Sequence, residues 1–166
     1  MINPDTDVPP PRGFTEEKAT LVACLNYLRD RVVAKLSGLS DEQASDPGVP
    51  SGTSPMGLVK HLTSAELNWF VWAYTAEAEE QWEHSPLPDE LDSVDSVIAE
   101  YRAANERCDA IIEACTDLGA PGKQIVWEGE PSPCLRWILV HTIEDTARHA
   151  GHLDILRERI DGSIGR

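Results

Sequence analysis

The stretch that decides the fold reads Cys134-Leu-Arg-Trp-Ile-Leu-Val-His141-Thr-Ile-Glu144-Asp145-Thr-Ala-Arg148-His149-Ala-Gly-His152-Leu-Asp-Ile-Leu156. On a wheel of about 100° per residue with His141 at the origin, Leu135, Ile138, Leu139, Leu153, Leu156 and Ile160 fill an arc from roughly 60° to 160°. One apolar arc of that width predicts a long helix facing a shared interior. Two polar side chains intrude on it. His149 falls at about 80°, inside the arc, and Asp145 at about 40°, on its edge. His152 at about 20° and His141 at the origin stand further out, and Glu144 at about 300° faces solvent. An aspartate or an unpaired histidine is costly in an apolar interior. Asp145 and His149 are also one turn apart, so both can reach a single ion.

Working outward, three more helical patterns precede this one. Leu21, Val22, Leu25, Leu28, Val32 and Leu36 recur at helical spacing, with Thr15 as the expected cap and Gly38 past the end. Ser40-Asp41-Glu42-Gln43 has the form of a capping box and opens a short helical turn. After a Pro- and Gly-rich loop over 46–53, Ser54-Pro55 starts a second long helix reaching to about Ala76. A third, from Asp92 or Ser93 to about Leu118, carries Val94, Val97, Ile98, Tyr101, Ala104, Cys108, Ile111 and Ile112 as its stripe. The loop over 119–132 leaves room for a short extended piece at Ile125-Val126-Trp127, and Ser132-Pro133 repeats the cap logic before the fourth helix, which Gly162 ends. Four long helices without a convincing strand pair predict an all-α four-helix bundle with long connections. The expected organisation is a flexible lead-in over 1–13 and one bundle domain over 14–162.

With 166 residues the chain suits one domain with a substantial core. A net charge of −15, from 14 basic and 29 acidic residues, argues against nucleic acid and against an anionic membrane surface as partners. No segment reaches the ~18 apolar residues of a membrane span. The first residues carry acids and prolines instead of a leader's apolar run, so a cytoplasmic protein is expected. Cys24, Cys108, Cys115 and Cys134 form no CxxC pair and read as free thiols.

A third donor must come from another helix. Of five histidines, His84 lies in a polar segment with Pro86, whereas His61 sits mid-helix beside Leu58, Leu62 and Ala65. His61, Asp145 and His149 would leave an open position on one divalent ion, as catalytic zinc or a related site does. The competing reading makes them ordinary core side chains, with Asp145 paired to His149 or to an arginine. Trp69, eight residues after His61, is the tryptophan placed best for a pocket wall. Arg148 could bind a substrate carboxylate, although an ion pair with Glu144 one turn earlier competes. Glu66 lies off the His61 face and reads as solvated.

These residues resemble the DinB-like superfamily, whose members include metal-dependent thiol transferases. The match lies in Gly57-Leu-Val-Lys-His61-Leu and in Glu144-Asp145-Thr-Ala-Arg-His149-Ala-Gly-His152, and Val49-Pro-Ser-Gly-Thr-Ser54 is similar to an actinobacterial branch. The resemblance implies a four-helix bundle of unusual connectivity, often a homodimer. It also implies one divalent metal, zinc or else nickel, on His61, Asp145 and His149. The family has His or Glu where this chain has Asp145, a side chain one methylene shorter, and many relatives have Gln at His152, which could complete the shell. Relatives of this kind include mycothiol-dependent maleylpyruvate isomerase and bacillithiol transferases, which implies a small-molecule thiol and an electrophile as substrates. Metal-assisted hydrolysis and a non-enzymatic, stress-linked bundle with a structural metal are the alternatives. A di-iron oxidase would need paired Glu-x-x-His motifs, which are absent from the sequence.

Overall fold

The computed structural model describes residues 9, 10, 12–84 and 87–164. Most of the expected lead-in (1–8 and 11), together with Pro86, therefore lies outside the described residues. Helix α1 spans Glu17–Leu36, α2 Asp41–Ser45, α3 Pro55–Glu66, α4 Val94–Ala114 and α5 Leu135–Asp161. Helix α3 passes without a break into a π-helical segment, Leu67–Tyr74. Among the described residues there is no strand, only an isolated antiparallel bridge between Pro121 and Cys134, so the extended piece at 125–127 does not form. The all-α bundle is as expected. None of its helices, among the described residues, is long and apolar enough to cross a membrane.

Cap chemistry sets most of the boundaries. Ser40 Oγ accepts from the Gln43 amide while Gln43 Oε1 accepts from the Ser40 amide, which closes the capping box of α2. Ser54 Oγ accepts from the Gly57 amide at the start of α3, and Ser93 does the same for Ser96 at α4. Three ends differ from expectation. Helix α4 stops at Ala114, not near Leu118, because Cys115 turns to an extended conformation and Lys18 Nζ donates to the Glu113 and Cys115 carbonyls. The cap position of α5 is held by Cys134 without a side-chain bond, and Glu16 replaces Thr15 ahead of α1. At α5 the backbone stays extended through Pro133, whose carbonyl accepts from the Gly122 amide, while the Leu118 carbonyl takes the Arg136 amide.

The interior divides into two apolar clusters stacked along the bundle. One gathers Val32, Leu36, Met56, Leu62, Tyr101 and Leu153, and the other Leu25, Phe70, Cys108, Ile112, Leu135 and Leu139. Helix α1 lies along α5, and α3 is wedged between α4 and α5. That central position leaves α3 little solvated face, which corrects the sequence reading of Glu66. It is fully buried and ion-paired to Arg29, with Arg29 Nε donating to Glu66 Oε1 at 2.9 Å. Arg29 also donates to Asp109 Oδ1 at 2.7 Å and to Asn26 Oδ1 at 2.8 Å.

The loop between α4 and α5 is tied down at Gly122. A Cβ there would sit 2.9 Å from the Pro133 carbonyl oxygen, 3.0 Å from that of Ala73 and 3.1 Å from the Tyr74 Cα. All three are backbone atoms and cannot swing aside. The next two residues donate to the π segment, Lys123 to Tyr74 and Gln124 to Ala73. Gly122→Ala is therefore expected to cost about 1–3 kcal/mol, read as a lowered denaturation midpoint. An unchanged midpoint would show that the loop is not held this tightly.

Candidate metal centre

His61 projects from the middle of α3, and Asp145 and His149 from adjacent turns of α5. The structure brings all three together: one donor atom from each lies within 4.8 Å of the others. His149 Nε2 is 3.4 Å from Asp145 Oδ1, and His61 Nε2 is 3.7 Å from Asp145 Oδ2, so the carboxylate spends one oxygen on each ring. The 3.7 Å contact is too long for a hydrogen bond. All three are mostly buried, with side chains 16–18 % exposed.

The rings are oriented from behind. His61 Nδ1 stands 2.6 Å from the His84 carbonyl oxygen. A carbonyl can only accept, so Nδ1 carries the proton, and whenever the ring is neutral it is the Nε2 lone pair that faces the cluster. His149 Nδ1 lies 3.3 Å from Nδ1 of His152 on the exposed side of α5. Electrostatics follow from the contacts: His149 first and His61 second hold the Asp145 carboxyl far below the usual carboxylate range. Asp145 in turn raises the pKa of His61, against the opposing effect of burial.

Do these residues suit a divalent ion? Ligand atoms about 2.0–2.1 Å from zinc at tetrahedral angles lie ~3.3 Å apart, close to the two separations found here. Two imidazoles and one carboxylate form a donor set that zinc and nickel both accept. A protonated Nδ1 bonded to a backbone carbonyl is the usual arrangement behind a ligating histidine. The residues fit.

Two cavities open on this cluster. One, of about 390 Å³, has His61 and Asp145 at its floor and Trp69, Trp72, Trp127 and His141 in its walls. The other, of about 330 Å³, reaches His61 and His149 and is lined by the hydroxyls of Ser51, Thr53 and Ser54 together with Leu58, Leu87 and Pro88. Trp69 packs against Trp127, Trp137 and His141 with ring centroids 5.7, 5.2 and 4.8 Å away. Trp137 and His141, one turn apart on α5, stack at 4.9 Å.

The remaining sequence candidates fall as follows. Trp69 lines the aromatic cavity, as its spacing from His61 suggests. His152 lines neither cavity and touches His149 instead. Arg148 is exposed and donates to Glu144 at 2.8 Å, with Asp145 at 3.9 Å. Sequence reasoning missed the His84 carbonyl, which no side-chain pattern reveals, and the role of His141, whose spacing from Trp137 did carry a signal. It also missed Asn68, whose amide donates to the Trp82 carbonyl and accepts from the Trp82 amide, clamping the segment that brings His84 to His61.

A helical bundle with these donors on these two helices is DinB-like in class. Within that class, the chain belongs to the mycothiol-S-transferase family, whose model matches residues 20–162. A search of curated proteins finds no match.

Proposed function

We propose that this chain is a metal-dependent S-transferase that joins mycothiol, or a thiol of that kind, to small electrophiles. The observation that carries the reading is the cluster of His61, Asp145 and His149 with two cavities opening on it, in a chain of this family. A divalent ion held by these three side chains, zinc in the first place and nickel in the second, would lower the pKa of a thiol brought to it. In the reaction the thiol gives its proton to solvent and a sulfur lone pair forms the C–S bond. The bond from that carbon to its leaving group breaks with its electron pair.

The protein's own residues contribute orientation and exclusion of water. The His84 carbonyl fixes which nitrogen of His61 faces the cluster, and Asp145 tethers both imidazoles. The tryptophan wall keeps the approach to them apolar. Cys108 is a poor candidate for the nucleophile: burial foremost pushes its thiol well above the usual range. Two open cavities support a catalytic over a purely structural metal, which leaves metal-assisted hydrolysis as the second reading. We further propose a homodimer with its bundle domain over 14–162, as the resemblance implies, and a cytoplasmic location.

The test is consumption of mycothiol in the presence of 1-chloro-2,4-dinitrobenzene, before and after chelation and on adding back zinc or nickel. Adduct formation that chelation abolishes and metal restores supports the proposal. Adduct formation indifferent to metal, or none with any of several electrophiles, contradicts it.

A further inference from the structure

Two cavities with different linings open on the donor cluster, and its three residues are divided between them. His61 lines both, Asp145 only the aromatic one, and His149 only the hydroxyl-lined one. An ion on the cluster would thus be approachable through either cavity. A reaction between two substrates needs such an arrangement, since each partner must reach the same point without displacing the other.

The linings differ in what they can recognise. In the aromatic cavity Trp69 and Trp127 pack as a tilted pair at 48° beside Trp72, a lining that suits an aromatic molecule. No lysine or arginine is among the described residues lining it, and the Asn68 amide is spent on Trp82. The nearest arginine on α5, Arg148, is exposed and paired with Glu144. Apart from an ion on the cluster itself, a dicarboxylate would meet no permanently cationic side chain among the described lining residues. In the other cavity, Ser51 Oγ and Thr53 Oγ1 lie 3.0 Å apart. Each hydroxyl keeps further hydrogen-bonding capacity, which suits a polyhydroxylated ligand.

Resting on the S-transferase reading above, we propose that the two cavities divide the substrates: the aromatic cavity takes a neutral, planar electrophile, and the hydroxyl-lined cavity takes the sugar-bearing part of the thiol. Specificity for the electrophile then resides in Trp69 and Trp127. Trp127 is the better probe, because it belongs to the loop between α4 and α5 and is 47 % exposed, so its replacement spares the core.

The experiment measures binding, not turnover, on untagged protein as purified. 1,3-Dinitrobenzene, which lacks a leaving group, is titrated by calorimetry with and without saturating mycothiol, and fumarate is titrated as the dianionic comparison. Trp127→Ala should weaken dinitrobenzene about tenfold, the effect of losing ~1.4 kcal/mol of ring contact, and leave mycothiol unchanged, while Trp127→Phe restores most of the loss. Ser51→Trp, which fills the other cavity from an exposed position, should do the reverse. Mycothiol that displaces dinitrobenzene, fumarate that binds as tightly as dinitrobenzene, or no dinitrobenzene binding by the parent chain would each overturn the assignment. Independent binding of both ligands without any turnover would sink the S-transferase reading and leave the division of cavities standing. Turnover with mutually competing ligands would do the opposite.

Discussion

Glu66→Leu is expected to destabilise the fold by about 3–5 kcal/mol, the cost of stranding a buried charge by removing its partner. The charge is that of Arg29, whose side chain is 4 % exposed against 1 % for Glu66. Asp109 also accepts from Arg29 but is 44 % exposed, so it neutralises the guanidinium less completely than Glu66 does. The double replacement Arg29→Met with Glu66→Leu should recover most of the loss, because two apolar side chains of similar volume need no counter-charge and Asp109 can turn to water. Urea denaturation of the three variants checks this. A single variant that loses under ~1 kcal/mol would mean that water reaches the pair. A double variant as unstable as the single would mean that packing, not charge, is at stake.

The second large effect concerns the donors. Asp145→Asn keeps the shape of the side chain but removes the charge that both imidazoles face. Its metal affinity should fall by more than the 10–100-fold typical of losing a partner behind a ligand. Asp145→Glu restores the charge with one more methylene, and glutamate is a residue that the resembling family uses at this position. It should keep close to a full equivalent of metal and a measurable fraction of the activity. Competition with a chromophoric chelator measures both affinities. Equal affinity for the parent and Asp145→Asn would place the ion elsewhere.

These two sites also mark the boundary of what the sequence discloses. The inward placement of Asp145 and His149 on α5 was legible because the wheel of one amphipathic helix shows which polar residues face inward, and a polar residue facing inward needs a reason. His61 followed from its apolar neighbours in a chain with few histidines. Helix starts at Ser40, Ser54 and Ser93 were legible for a local reason: the capping side chain and the amide it satisfies lie within three residues. Glu66 failed for the converse reason. A wheel identifies one buried face, but α3 is packed on two, and its second partner is set by the tertiary arrangement. Periodicity also assumes a constant turn, whereas the chain widens to a π-helix from Leu67, just where Trp69 joins the cavity wall. Trp127 and the His84 carbonyl reach the site on loops, held by backbone contacts at Gly122 and by Asn68 that leave no pattern in composition or spacing.

The central claim is that His61, Asp145 and His149 hold one divalent ion, and elemental mass spectrometry tests it most directly. Protein purified without a histidine tag is compared with its His149→Ala variant, both confirmed as folded by circular dichroism. The account predicts about one equivalent of zinc or nickel in the parent and a small fraction of that in the variant. A fully folded parent without metal, which also takes up none on addition of zinc or nickel, would contradict it.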